Sequence, residues 1–467
     1  MQLSPWRALA AIMRPMSETG MLVFANQLGH LDTTGRHTHL LRDWSGAMIS
    51  GNILYPPMEM LYAAAYLRQQ GHDVAVVDGN VRHWTHRRTV AAVLAHRPSH
   101  VITVSGWYNF QDDLAFFRAL KAVAPQVCTI LAGPNVTLDP ASALASPAVD
   151  FVALGEFVDG VDEIVSGRLA RNVAYRADGS MVVRPFVPLD PLDRIPFAAW
   201  DLVNPRDYWV PFARRYPFAL ALTGVGCPHG QCAFCHQISY FGEAHRSHSA
   251  GYVTEEADRL LARGLREIIY RDQVFTARRD IVEALCRHLI ARGRPLTFRI
   301  STRVDLVDRD LLTLLAAAGC YQLSLGLETF SDAALAWCHK NATVADGARA
   351  VGWAKDAGLE VSAGIIVGLP EDDPFSVRRI LRLVHERRID FPQFFVLTHR
   401  YDRPRRAFVP VHEDPAALRK QRRRMRRLGL AFYLDPRYIA RQAWRFARVE
   451  GVRRLPRFAA DFVRYFW

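Results

Sequence analysis

No apolar run in the chain reaches the roughly 18 residues that a membrane span needs, and Met1–Gly20 lacks the basic start, apolar centre and small-residue cleavage site of a signal peptide. The expected compartment is therefore a reducing cytoplasm. Cysteine is scarce and odd in number, seven in 467 residues, which argues against a disulfide framework. Cys128, Cys286, Cys320 and Cys338 stand singly in apolar or helical surroundings, as buried free thiols do. No folded nucleic-acid-binding motif occurs. Excess charge is also missing from most of the chain, since residues 1–399 balance 40 Lys and Arg against 40 Asp and Glu, whereas Arg400–Trp467 carries 19 against 6 and so the whole net charge of +13.

The other three cysteines lie within nine residues, in Thr223-Gly-Val-Gly-Cys-Pro-His-Gly-Gln-Cys-Ala-Phe-Cys-His236, directly after the apolar run Phe218–Leu222. Thiolates at C-x4-C-x2-C on a strand-ending loop can fold around an inorganic cluster, because Gly224, Gly226 and Gly230 let the backbone turn tightly. Three local ligands leave one iron of a [4Fe-4S] cluster open to a small molecule. The loop alone leaves two alternatives standing, a structural zinc whose Cys3His set is completed by His229 or His236, and a disulfide.

Before the loop, short apolar runs alternate with helices. Met21–Ala25, Asp73–Asp78, His100–Ser105, Cys128–Gly133 and Phe151–Gly155 read as strands. Such runs are buried on both faces, so the expected fold is α/β with a doubly wound parallel sheet. Ligands of these sheets lie beyond the carboxyl ends of the strands, which here carry Ser105-Gly106, Gly133-Pro134-Asn135 and Gly155-Glu156. Pro188, Pro191 and Pro196 mark a linker. From the cysteine loop onward, strands at Ala219–Leu222, Glu267–Tyr270, Leu296–Ile300, Gln322–Glu328, Glu360–Gly368 and Gln393–Leu397 make six strand-helix units, a count suited to a partial barrel with its chemistry at one mouth. The expected organisation is a lead-in over 1–20, a first domain over 21–165, a linker over 166–210, a barrel over 211–398 and a basic, aromatic-rich helical region over 399–467.

Taken in order, these residues resemble the radical S-adenosylmethionine superfamily, in the class with an N-terminal cobalamin-binding domain. The first domain carries Tyr55-Pro-Pro-Met-Glu-Met-Leu61, Gly71-His-Asp-Val74, Ala132-Gly-Pro-Asn-Val-Thr137 and Val149-Asp-Phe-Val-Ala-Leu-Gly-Glu156; the second carries the cysteine loop, Tyr270-Arg-Asp-Gln-Val-Phe-Thr276, Gly326-Leu-Glu-Thr329, Lys340-Asn-Ala-Thr343 and Gly364-Ile-Ile-Val-Gly-Leu-Pro-Glu371. Two departures stand out: the family usually spaces its cysteines C-x3-C-x2-C, and the chain lacks the D-x-H-x-x-G pattern that supplies a histidine ligand to cobalt in methionine synthase-like proteins.

The resemblance implies that Cys227, Cys232 and Cys235 hold a [4Fe-4S] cluster that cleaves S-adenosylmethionine to a 5′-deoxyadenosyl radical, with cobalamin bound without a protein histidine as second carrier. It places Phe234 near the adenine, with a core aromatic as the alternative; Asp272 at the methionine ammonium; Glu328 at the ribose hydroxyls; and Arg303 at the methionine carboxylate, with an ion pair to Asp305 or Asp308 as rival. Gly364 and Gly368 fit a pattern whose backbone lies beside the adenine, while Glu371 caps the next helix. The cobalamin-side candidates are Ser105, Gly106, Gly133, Pro134, Gly155 and Glu156. The implied activity is methylation of an unactivated carbon of a secondary or lipid-related metabolite, with ring formation, oxidation or rearrangement as runner-up and a non-enzymatic cobalamin sensor as a third reading. The implied partners are a small-molecule substrate and a flavodoxin or ferredoxin. Arg419–Arg427, followed by Phe432, Tyr433, Tyr438 and Trp444, reads as a solvated basic helix packed on the barrel, or more sharply as an anionic-membrane contact, with nucleic acid third.

Overall fold

The computed structural model describes residues 21–26, 54–106, 109–210, 213–235, 237–242, 244–371, 377–402, 407–411 and 414–450. The lead-in expected over 1–20 lies outside them. The described residues form two compact units, one running to residue 210 and including Ser239–Gly242, the other comprising the rest.

In the first unit the expected apolar runs form parallel strands: β1 (Met21–Asn26), β2 (Val74–Asp78), β3 (Pro98–Val104), β4 (Cys128–Ala132) and β5 (Phe151–Ala153). Val23, Leu131 and Val152 from the sheet pack with Phe116, Phe117 and Leu120 of the helix Phe110–Val123, all of them fully buried. Each such side chain contributes about 1.5–3 kcal/mol by leaving water. The stretch expected as a linker carries two further strands of this sheet. Strands β6 (Val173–Ala177) and β7 (Ser180–Val183) extend this sheet antiparallel, in the order β2-β1-β3-β4-β5-β6-β7. Their turn is Asp178-Gly179, both at positive φ (51° and 74°), the backbone of a two-residue hairpin. The prolines follow this hairpin and do not displace it.

The second unit holds β8 (Phe218–Ala221), the short β9 (Gly224–Val225) and β10 (Arg246–Ser247), then β11 (Glu267–Tyr270), β12 (Thr297–Thr302), β13 (Cys320–Glu328), β14 (Glu360–Val367) and β15 (Phe391–Val396). The six main strands are parallel in the order β15-β14-β13-β12-β11-β8, one for each unit expected from the sequence. Their amino-terminal ends are tied by Glu267, whose buried carboxylate accepts hydrogen bonds from the Arg214 and Arg215 amides (2.7 and 2.8 Å), the Tyr321 hydroxyl (2.7 Å) and the Thr297 hydroxyl (3.2 Å). Burial still raises its pKa above the ordinary carboxylate value. The opposite, carboxyl-terminal ends carry the site.

The region after β15 is not wholly helical. An antiparallel ribbon of β16 (His399–Asp402) and β17 (Ala407–Pro410) precedes the helices Pro415–Tyr433 and Pro436–Glu450. The first of these is the basic segment expected from the sequence, opened by Asp414, which caps the Ala416 and Ala417 amides with Pro415 in the first turn. Among the described residues no helix is long and apolar enough to cross a membrane.

Candidate active site

Cys227, Cys232 and Cys235 are free thiols on the loop that leaves β9. The entry to this loop is fixed by β11. Just past that strand the Asp272 carboxylate accepts from the Thr223 amide (3.0 and 3.1 Å), the Gly224 amide (2.9 Å) and the Thr223 hydroxyl. Gln273 accepts from the Gly226 amide at 2.9 Å. Gly226 sits at φ 82°, where a Cβ would lie 2.5 Å from the Ala244 carbonyl oxygen, so the loop starts at a point only glycine can occupy.

The far side of the loop rests on the backbone of Cys338–Lys340. The Ala233 amide donates to the Cys338 carbonyl (2.9 Å), and the His229 ring nitrogen Nε2 lies 2.6 Å from the His339 carbonyl. His229, one candidate fourth ligand of a zinc site, is thus turned to a main-chain oxygen; His236, the other, lies outside the described residues. Among the described residues no three His, Cys, Asp or Glu side chains are placed to hold one metal ion. Burial pushes the Cys232 thiol up and the Cys235 thiol up to about 12 in the metal-free chain; a bound cation reverses that preference by favouring the thiolate. Cys338, also buried, donates to the Leu335 carbonyl.

Around the loop stand residues from the neighbouring strand ends. Arg303, one residue past β12, donates through Nε and Nη2 to the two Asp305 oxygens (2.9 and 3.0 Å), through Nη2 to the Lys340 carbonyl (2.7 Å), and through Nη1 to Cys232 Sγ (3.8 Å). Of its two rival ion partners Asp305 is the one engaged, while Asp308 pairs with Arg279 and caps the helix Arg309–Ala318. Glu328 ends β13 at φ 62°, a left-handed conformation that non-glycine residues seldom take, and its carboxylate receives the buried Lys340 ammonium at 2.8 Å. Gly326 makes room for that pair, since a Cβ there would lie 2.5 Å from Glu328 Oε1 and 2.7 Å from Lys340 Nζ. Phe234 packs with Ala334, Ile366, Leu369 and Leu397, 5.7 Å below the Lys340 ammonium.

Strand register adds a feature that no single motif reveals. Ser301, Ser324 and Ser362 pair across β12, β13 and β14, and two residues further on Gly326 pairs with Gly364 and Gly364 with Gln393, so these small or polar residues share one face. Gly364 would place a Cβ 3.7 Å from the Phe395 ring and 3.9 Å from Glu328 Oε2. Gly368 is different: at φ 80°, its missing Cβ is replaced by the Gln421 side chain of the basic helix, 2.4 Å from where that carbon would lie. Glu371 is exposed, and residues 372–376, the start of the helix it was expected to cap, lie outside the described residues.

In the first unit the strand-end candidates fall together. Ser105 is fully buried, and among the described residues beyond its chain neighbours no atom lies within 4 Å of a Cβ built on Gly106. Gly133 (φ 121°) lies against the Ser105 carbonyl, where a Cβ would approach to 2.1 Å, and Pro134 opens the helix Pro134–Leu138. The side-chain oxygens of Asn109 and Asn135 are buried and have no hydrogen-bond partner among the described residues. At Gly155 (φ 61°) the Phe186 ring fills the Cβ position, and the next residue is Glu156. The sequence offered no signal for Asn109 or Phe186, because each is brought to the strand ends by a loop.

Residues 222–384 match the family described as the Radical SAM superfamily, and residues 47–165 that described as the B12 binding domain. The chain is 27% identical over 353 residues to an uncharacterized methyltransferase of Pyrococcus horikoshii, covering 73% of this chain and 76% of that protein. It is also 27% identical over 371 residues to the anaerobic magnesium-protoporphyrin IX monomethyl ester cyclase of Rubrivivax gelatinosus, covering 76% and 66% respectively. Its fold is similar to that of the radical S-adenosylmethionine methyltransferase TsrM from Kitasatospora setae, solved with cobalamin and a [4Fe-4S] cluster, with a TM-score of 0.64 over 84% of this chain and 73% of that one at 16% identity. A B12-binding domain followed on one chain by a radical SAM domain, its three loop cysteines at the strand ends, defines an enzyme of the radical S-adenosylmethionine superfamily in the class with an N-terminal cobalamin-binding domain.

Proposed function

We propose that this enzyme transfers a methyl group to an unactivated carbon of a small metabolite, using a [4Fe-4S] cluster on Cys227, Cys232 and Cys235, S-adenosylmethionine and cobalamin. The observation that carries the reading is the clamped cysteine loop. Its entry is fixed by Asp272 and Gln273 and its far side by the Cys338–Lys340 backbone, so three thiols stay at the strand ends while the chain places no fourth cysteine on the loop. When bound, the cluster and S-adenosylmethionine supply a carbon-centred radical and cobalamin a methyl carrier.

The residues around the loop serve that chemistry in distinct ways. Gly364, where a Cβ would meet nothing closer than 3.7 Å, lets a flat ligand approach the backbone of β14, and Phe234 with Ile366 and Leu369 offers an apolar wall that keeps water from a radical. Lys340 keeps donors beyond its bond to Glu328 for a carboxylate, a role the sequence assigned to Arg303, whose guanidinium is engaged by Asp305 and the Lys340 carbonyl. Cobalamin would sit at the strand ends of the first unit, where the open face of Gly106 admits a bulky ligand and the unpartnered Asn109 and Asn135 oxygens can accept from its amide side chains. A low-potential flavodoxin or ferredoxin would supply electrons.

The test follows a labelled methyl group from S-adenosylmethionine through the anaerobically reconstituted enzyme. Methylation yields label in the product's carbon skeleton together with S-adenosylhomocysteine and 5′-deoxyadenosine, and Cys232→Ala abolishes both cluster and product. Similarity to a cyclase favours ring formation as the second reading. An unlabelled, cyclised product formed with 5′-deoxyadenosine would establish that reading instead.

A further inference from the structure

Among the described residues Arg303 is the cation whose side chain touches a cysteine of the loop, and its surroundings give it an unequal charge balance. Its side chain is 5% exposed, whereas its partner Asp305 is 32% exposed. Water screens the carboxylate far more than the guanidinium, so a net positive potential persists at Cys232 Sγ, 3.8 Å from Nη1. Lys340 differs, because its countercharge Glu328 is itself only 11% exposed and the pair is nearly neutral at a distance. The Lys340 carbonyl instead orients Arg303, holding Nη2 at 2.7 Å so that Nη1 is directed at the sulfur. Every edge of the guanidinium has a partner, which suits a fixed electrostatic element better than a group awaiting a ligand.

We infer that Arg303 is a positioning residue that sets the reduction potential of the iron-sulfur cluster, by donating a hydrogen bond to Cys232 Sγ and placing an under-compensated charge beside it. The inference rests on the cluster assignment of the preceding section. Reduction adds one electron from a low-potential donor to the cluster and neither forms nor breaks a bond, so its cost is set by the charge around the sulfurs. A buried cation and an N–H donor both lower that cost. Asp305 tunes the effect from solvent, and the strength of its pairing decides how much of the Arg303 charge the cluster senses.

The experiment is a mediated redox titration of the reconstituted full-length protein without S-adenosylmethionine, followed by the electron paramagnetic resonance signal of the reduced cluster, with S-adenosylmethionine affinity measured in parallel by equilibrium dialysis. Arg303→Gln is expected to lower the equilibrium constant for reduction at least tenfold, about 59 mV for a one-electron couple, while the dialysis constant changes less than threefold. A potential unchanged within twofold in that constant, with affinity for S-adenosylmethionine lost, overturns the inference and makes Arg303 a carboxylate receptor. Should Arg303→Gln fail to hold a cluster, Asp305→Asn tests the same point with the arginine retained. It is expected to raise the potential, and no rise overturns the inference. A wild-type chain that takes up no cubane cluster would instead defeat the cluster assignment itself.

Discussion

Asp272 shows how one residue is pulled by two opposed effects. It is fully buried, which disfavours its charge, yet it accepts hydrogen bonds from the Thr223 and Gly224 amides and the Thr223 hydroxyl, which favour the charge; burial is the larger effect and lifts its pKa from 3.8 to about 6. The folded value lies above the unfolded one, so the folded chain holds the proton more tightly. That contribution to stability is complete below pH 3.8 and is lost as the pH rises through about 6. A shift of roughly two units corresponds to about 3 kcal/mol. Asp272→Asn keeps an oxygen for the Thr223 and Gly224 amides but cannot titrate. Urea unfolding of both proteins should therefore show the wild type losing about 3 kcal/mol relative to the variant between pH 4 and pH 7, and a difference independent of pH would mean that the folded carboxyl ionises normally.

The elements show where local signals sufficed and where they failed. All six strands of the second sheet were legible, because each is a short apolar run with a polar or glycine residue at its end, as in Glu267–Tyr270 before Asp272. The hairpin of β6 and β7 was missed although its Asp178-Gly179 turn is a strong local cue, since three nearby prolines drew attention to a linker. Lys340 was visible within a motif but had no readable role, because its partner Glu328 and the space left by Gly326 belong to another strand end. Gln421 had no signal at all. It lies among arginines on a basic helix, and only packing brings it to Gly368. That contact is testable. Gly368→Ala combines a Cβ in a left-handed backbone with a clash against Gln421, and should cost about 1–3 kcal/mol and speed amide hydrogen exchange in Pro415–Tyr433. Adding Gln421→Ala should restore the packing share of the loss but not the backbone share, and strict additivity of the two substitutions would show that the side chains do not meet.

Across the whole molecule, each unit is expected to answer to its own ligand. The first unit has a core of its own and its candidate cobalamin residues at the ends of β3, β4 and β5; the second has the cysteine loop. A ligand that binds only the folded form stabilises it by about 2.7 kcal/mol at a free concentration one hundred times its dissociation constant. Hydroxocobalamin at that excess should therefore slow amide exchange in the first unit, most at 105–106, 133–135 and 155–156. Asn135→Ala removes an oxygen without a partner among the described residues and one long donation from Nδ2 to Ser105 Oγ (3.5 Å), so its cost to the free protein should be small while its effect on cobalamin binding is large. Gly106→Val tests the same surface sterically, because among the described residues beyond its chain neighbours no atom lies within 4 Å of a Cβ built on Gly106. Its expected signature is an unchanged unfolding midpoint with at least tenfold weaker cobalamin uptake. A Gly106→Val protein that binds cobalamin as tightly as the wild type would move the cobalamin site away from the strand ends of the first sheet.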